Sequence, residues 1–77
     1  MPDFKSEIER REWIINNASH FTVVRRRNRQ YDKVEVPTLE EAKRTAAAWV
    51  AEIPDKVCLI YAVSGIYDTW VMNVRGK

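Results

Sequence analysis

The chain has 77 residues, of which 45% are hydrophobic and 31% charged, and it contains only two glycines and three prolines. This composition is typical of one small globular domain and excludes an intrinsically disordered chain. The single cysteine excludes an internal disulfide, and no apolar run approaches the roughly 20 residues of a membrane-spanning helix. We therefore expect one domain over residues 1–77. Because the first residues also lack the apolar segment of a signal peptide, we expect this domain in the cytoplasm and without membrane contact.

The net charge of +2 is unevenly distributed along the chain. Residues 25–33, RRRNRQYDK, contain five basic residues and one acidic residue, whereas the rest of the chain contains eight basic and ten acidic residues. A local positive patch on a slightly acidic body is more informative about binding partners than the overall charge.

The predicted elements begin with a helix within residues 1–19. Ser6 followed three residues later by Glu9 is a capping box, which marks a helix start. Phe4 and Ile8 share one helical stripe, whereas Trp13 points to the opposite side. For this tryptophan, packing in the core is the favoured interpretation, and a position in an interface is the alternative.

Residues 20–36 are predicted to form a basic hairpin, because the hydrophobic period changes from 3.6 to 2. If Asn28 and Arg29 form a two-residue turn, one face of the hairpin is apolar and ends in an ion pair. The pairs on that face are Phe21 with Val36, Val23 with Val34, and Arg25 with Asp32. The opposite face is largely polar.

Residues 38–53 are predicted to form the main helix of the core. Thr38 and Glu41 make a capping box, and Pro54 ends the helix. The apolar stripe consists of Leu39, Ala42, Ala46, Trp49, Val50 and Ile53. The two alanines allow this helix to lie close to a sheet.

Residues 56–75 are predicted to form a second, more apolar hairpin with the turn at Ser64-Gly65. One face then carries the pairs Val63/Ile66, Tyr61/Asp68, Leu59/Trp70 and Val57/Met72. We expect the core to consist of Val57, Leu59 and Trp70 from this face with Leu39, Ala46 and Val50 of the main helix. The other face carries Ile60, Ala62 and Val71, and either the first helix or another copy of the chain should cover it.

These elements predict an α+β fold, with an N-terminal helix followed by ββαββ and one main helix packed on a four-stranded, mainly antiparallel sheet. Strand order 2-1-3-4 makes all neighbours antiparallel and places the apolar third strand inside the sheet. Order 1-2-3-4 is the alternative and gives a mixed sheet. We favour the first order because the third strand is apolar on both faces.

Catalytic chemistry has little support in the sequence. His20 is the only histidine, and Cys58 lies in the most apolar strand, where a buried thiol is expected. The chain has no metal-ligand spacing and no glycine-rich phosphate loop. We therefore expect a protein that is not an enzyme, with no cofactor, no metal site and no small-molecule substrate.

The basic hairpin has two interpretations. Charged residues at a hairpin tip and on an edge strand protect a sheet from aggregation, a role that needs no partner. Alternatively, the basic side chains bind nucleic-acid phosphates while an aromatic ring stacks on an exposed base, or the ribbon enters a DNA major groove. The candidate contacts to DNA, to RNA or to an acidic or nucleic-acid-handling protein are Arg26, Arg27, Arg29, Tyr31 and Lys33.

A second candidate surface is aromatic and apolar. Tyrosine, tryptophan and arginine are the residue types enriched at the energetic centres of protein interfaces. The candidate residues are Trp13, Ile60, Tyr67 and Val71. Such a surface fits a protein inhibitor, an adaptor or a homodimer.

Two stretches in the second half of the chain form a recognisable pattern. They are Thr38-Leu39-Glu40-Glu41-Ala42 with the alanine-rich helix after it, and Leu59-Ile60-Tyr61-Ala62-Val63 with a tight turn after it. This half resembles small phage and prophage proteins. No catalytic or binding residue can be transferred from that class to this chain. The resemblance implies a host-directed accessory protein, and several anti-CRISPR proteins are small, non-enzymatic sheet-and-helix domains. We predict a non-catalytic module that binds nucleic acid through the basic hairpin, with a protein inhibitor, an adaptor or a homodimer as the alternative.

Overall fold

Two helices and four strands follow one another in the order α1, β1, β2, α2, β3 and β4. The computed structural model describes residues 4–27, 29–52 and 57–75. The elements are α1 (Glu7–Asn16), β1 (His20–Arg27), β2 (Gln30–Val36), α2 (Leu39–Glu52), β3 (Val57–Ser64) and β4 (Tyr67–Arg75). The strands form one antiparallel sheet in the order β2-β1-β3-β4, which confirms the predicted α+β fold and strand order.

Both predicted helix starts are confirmed by hydrogen bonds at the caps. The hydroxyl of Ser6 accepts from the backbone N–H of Glu9 at 3.2 Å, and the hydroxyl of Thr38 accepts from that of Glu41 at the same distance. Each bond satisfies a backbone donor that has no partner inside its helix. At the other end of α1, the backbone N–H and the side-chain amide of Asn17 both donate to the Trp13 carbonyl oxygen. Both helices of the described ranges are too short and too polar to cross a membrane.

The first hairpin has the predicted register. Its pairs include Phe21 opposite Val36, Val23 opposite Val34, and Arg25 opposite Asp32. These residues lie on one face of the sheet, because alternate residues of paired strands share a face. The alternation of valines on both sides of the turn was therefore sufficient to predict this pairing.

The predicted turn of the second hairpin is wrong by one residue. Ser64 pairs with Tyr67, so the loop consists of Gly65 and Ile66, and Gly65 has a φ of +62°. Two-residue loops that match the strand twist need a positive φ at their first position, which glycine adopts without strain. Further along this hairpin, Tyr61 pairs with Trp70 and Ile60 pairs with Met72. Val71 is thus an extra residue on β4, and it shifts the register by one residue.

Both helices pack on the same face of the sheet, which we call the covered face. Its buried strand residues are Phe21, Val23, Cys58, Ile60 and Ala62, and its buried helix residues are Ile14, Ala42, Ala46 and Val50. Helix α2 contacts all four strands, whereas α1 contacts β3 and β4. The first helix thus packs on the face of Ile60 and Ala62, which is one of the two predicted covers, but the expectation that α2 would pack on the opposite face is wrong.

The predicted core is therefore wrong for the sheet and right for the helix. Ala46 and Val50 are buried and Leu39 packs against the core, but Val57, Leu59 and Trp70 lie on the other face of the sheet. Trp70 is 46% exposed. The reason is the pairing of β1 with β3, which places Val23 opposite Ile60 and so aligns the apolar face of the first hairpin with Cys58, Ile60 and Ala62.

This face assignment predicts unequal effects for two neighbouring residues of β3. Ile60→Ala should reduce the free energy of unfolding by about 2–5 kcal/mol, because Ile60 is fully buried and its removal leaves a cavity. Leu59→Ala should reduce the free energy of unfolding by less than about 2 kcal/mol, because Leu59 is half-buried and solvent can fill the space that its side chain leaves. Urea denaturation of both variants measures the difference, and a larger loss for Leu59→Ala would reverse the assignment of the two faces.

Candidate functional site

The second face of the sheet has no buried side chain in the described residues, and we call it the open face. Strand register places its residues in four rows that cross the sheet. From the tip of the β1–β2 hairpin towards the other end of the sheet, the first row consists of the pairs Tyr31/Arg26 and Val57/Arg75, which lie just beyond the last pair between β1 and β3. The next rows are Lys33, Val24, Leu59 and Asn73; Glu35, Thr22, Tyr61 and Trp70; and His20, Val63 and Asp68. Because both helices lie on the covered face, these side chains meet solvent.

Charge on the open face is separated along the strand direction. The first two rows carry Arg26, Lys33 and Arg75, all exposed and all cationic. The last two rows carry the carboxylates of Glu35 and Asp68, and the Glu35 carboxylate lies 4.0 Å from the His20 ring nitrogen. The end of this face at the β1–β2 turn, which we call the hairpin end, is therefore the end that attracts an anionic ligand.

Aromatic side chains occupy the open face between and beside the charges. Tyr31 is 61% exposed, Tyr61 is half-buried, and the indole N–H of Trp70 donates to the side-chain oxygen of Asn73 at 2.8 Å. The guanidinium of Arg11 lies 5.5 Å from the Trp70 ring centre and donates to the carbonyl oxygens of Trp70 and Val71. These contacts fix the orientation of Trp70 at the sheet edge.

A shallow groove of about 390 Å³ crosses the open face. Its lining residues are Thr22, Val24, Tyr31, Lys33, Tyr61, Val63 and Asp68. The two valines and Tyr61 provide an apolar surface, while Lys33 and Asp68 provide opposite charges. The groove can thus accept a flat, partly apolar group that carries an anion at one end.

The predicted basic residues are only partly brought together. Arg26, Tyr31 and Lys33 share the open face, and Arg29 is exposed in the turn. Arg27 is the last residue of β1, but its side chain lies outside the described part of the structure. The hairpin is not a free ribbon, since β1 also pairs with β3 from His20 to Arg25.

Arg25 points to the covered face, where its side chain contacts two carboxylates and an aromatic ring. Its guanidinium lies 2.8 Å from the Asp32 carboxylate, 3.6 Å from that of Glu52 and 4.7 Å from the Trp49 ring centre. The pKa of Arg25 is raised, chiefly by the hydrogen bond to Asp32, so the side chain stays charged. Its assignment as a structural residue, separate from the other arginines, agrees with these contacts.

The predicted aromatic and apolar interface is not an exposed patch. Ile60 is fully buried, so its assignment to a contact surface is wrong; the strand pairing directs it into the core. Trp13 and Tyr67 contact each other and Phe4 edge to face, with ring centres 5.7–6.0 Å apart. Trp13, Tyr67 and Val71 are half-buried and pack against the core. Trp13 thus joins α1 to the sheet.

Sequence reasoning missed Tyr61, Trp70 and Asp68 as members of the exposed surface. Alternation was no guide in β3 and β4, where nearly every residue is apolar on both faces. Only the pairing of β1 with β3 distinguishes the two faces, and this contact joins residues far apart in the chain. Asp68, a carboxylate within a largely apolar hairpin, was the available signal.

Burial raises the pKa of the Cys58 thiol, which lies on the covered face. Within the described ranges, no group of three or more His, Cys, Asp or Glu side chains is placed to hold a metal ion. No protein-family model matches the chain, and no curated protein or solved structure matches it either.

The separation of Arg25 from the other arginines predicts that it acts on stability through Asp32 and Trp49. Arg25→Gln should lower the urea midpoint more than Asp32→Asn, because it removes the ring contact as well as the ion pair. The double variant should lose less than the two single losses together, since both remove the same pair. Strictly additive losses in this mutant cycle would show that the pair contributes nothing.

Proposed function

We propose that the protein is a non-catalytic module that binds single-stranded nucleic acid across the open face of its sheet. The observation that carries the proposal is the combination on one uncovered face of exposed aromatic rings with the cations Arg26 and Lys33. Proteins that bind single strands combine a basic path for the backbone with aromatic rings on which bases stack.

Stacking is supported by the position and exposure of the rings. Tyr31 and Trp70 are exposed on the open face, and they lie on the two edge strands of the sheet, β2 and β4. Tyr61 lies between them on β3, in the floor of the groove. A nucleic-acid strand that crosses the sheet can therefore place its bases over different rings. Each base that stacks on a ring contributes about 1–3 kcal/mol to the binding free energy.

Backbone contacts are supported by the charge distribution. Arg26 and Lys33 lie in adjacent rows beside Tyr31, and Arg29 is exposed in the turn that follows β1. A guanidinium can bind two phosphate oxygens at once, whereas the lysine ammonium acts as a point charge. These three cations form the hairpin end of the site.

A single strand fits this surface better than a double helix. A two-stranded ribbon can enter a DNA major groove only if its sides are free, and here β1 is paired on both sides up to Arg25. A wide sheet that carries rings on its face is instead suited to unstacked bases. The solubility interpretation of the basic hairpin explains the charges but not the exposed aromatic rings.

An acidic protein surface is the competing partner for the same cations. It would use Arg26 and Lys33, and exposed tyrosine and tryptophan rings also suit a protein interface. Charge steering by such a partner mainly affects the association rate, whereas base stacking affects affinity for free nucleic acid. Binding to an oligonucleotide alone therefore separates the two partners.

The proposal predicts that a fluorescein-labelled ten-nucleotide single strand binds the protein and that binding weakens as salt increases. Arg26→Gln and Lys33→Gln should each reduce the salt slope by about 0.7, the value for one lost phosphate contact on a single strand. Tyr31→Ala should weaken binding by about 1–3 kcal/mol without changing this slope, because it removes stacking and no charge. Fluorescence anisotropy at about 50–200 mM salt measures both effects.

Matched controls come from exposed residues away from the open face. Arg44→Gln removes the charge of an exposed arginine on α2, and Ile66→Ala removes an exposed apolar side chain at the β3–β4 turn. Both should leave binding unchanged. The proposal is overturned if the wild-type protein does not bind any single strand at the low end of the salt range, or if Arg44→Gln weakens binding as much as Arg26→Gln.

A further inference from the structure

The groove on the open face has an acidic end that phosphate binding does not explain. Lys33 and Tyr31 line it from β2, whereas Asp68 lines it from β4 at the opposite side of the sheet. The Asp68 side chain is exposed and forms no ion pair with another described residue. A carboxylate at this position repels phosphate, so the part of the ligand that reaches Asp68 must be a hydrogen-bond donor.

We propose that the groove holds one nucleotide of the bound strand, with its phosphate at Lys33 and the donor edge of a guanine base at Asp68. This inference rests on the proposed function and adds to it a base preference. The volume of the groove, about 390 Å³, lies within the range of small-ligand sites, roughly 300–1,000 Å³.

Guanine is selected by the chemistry of the carboxylate. Its pairing edge presents two adjacent donors, N1–H and the N2 amino group, which match the two oxygens of Asp68. Cytosine and adenine each present one amino group beside a ring-nitrogen acceptor. Thymine and uracil present one N–H between two carbonyl oxygens, which a carboxylate repels. The expected order of affinity is thus guanine first and thymine or uracil last.

The remaining groove residues fit the body of the nucleotide. Val24 and Val63 form an apolar floor, and the Tyr61 ring offers a surface on which a base can stack. Thr22 lies in the same row as Tyr61 and can donate from its hydroxyl to a sugar or base oxygen. The order of groups across the sheet is then phosphate, sugar and base, from β2 to β4.

The test compares an oligothymidine of ten nucleotides with the same strand carrying one central guanine, adenine or cytosine. Wild-type protein should bind the guanine strand about tenfold more tightly than oligothymidine, within the range of one two-pronged base contact at an exposed site. Asp68→Ala should bind both strands alike, because it removes both acceptor oxygens and leaves no polar group that can pair with guanine. Glu40→Gln, which removes an exposed carboxylate from α2, should retain the full preference.

The outcomes separate this inference from the proposed function. Equal, measurable affinity of wild-type protein for all four strands overturns the base preference and leaves single-strand binding intact. A guanine preference that persists in Asp68→Ala also overturns it, because another group then makes the selection. If no strand binds, the proposed function fails and the nucleotide site fails with it.

Discussion

The antiparallel pairing of β1 with β3 is the contact on which the rest of the structure depends. It joins two hairpins that are each formed by local turns into one four-stranded sheet. Its register places Val23 opposite Ile60 and Phe21 opposite Ala62, so the apolar residues of both hairpins face the same side. Both helices cover that side, where the apolar residues of the two hairpins form one continuous surface.

The same pairing determines which charged residues are free to bind. Along β1, Arg25 points to the covered face and is held by Asp32, Glu52 and Trp49, whereas Arg26 points to the open face. Adjacent arginines thus have different surroundings for a geometric reason, since successive residues of a strand alternate between its faces. A change of one residue in this register would bury Arg26 and expose Arg25.

Sequence alone was sufficient for most features that depend on neighbouring residues, although it placed the turn of the second hairpin one residue too early. The helix caps at Ser6 and Thr38 and the register of the basic hairpin all rest on local patterns, and the structure confirms them. The core face of β3 was predicted wrongly, because its residues are apolar on both sides and only a distant strand decides between them. The candidate site shared this difficulty: Arg26, Tyr31 and Lys33 came from the local pattern, whereas Tyr61, Trp70 and Asp68 did not.

The central claim is that ligand contacts one face of the sheet and not the other. Methyl resonances test it directly, because the same strands carry methyl groups on both faces. On addition of a guanine-containing single strand, the methyl groups of Val24, Leu59 and Val63 on the open face should shift and show contacts to base or sugar protons. Those of Val23, Ile60 and Ala62 on the covered face should not. Contacts confined to the hairpin turn, or shifts of equal size on both faces, would contradict the account.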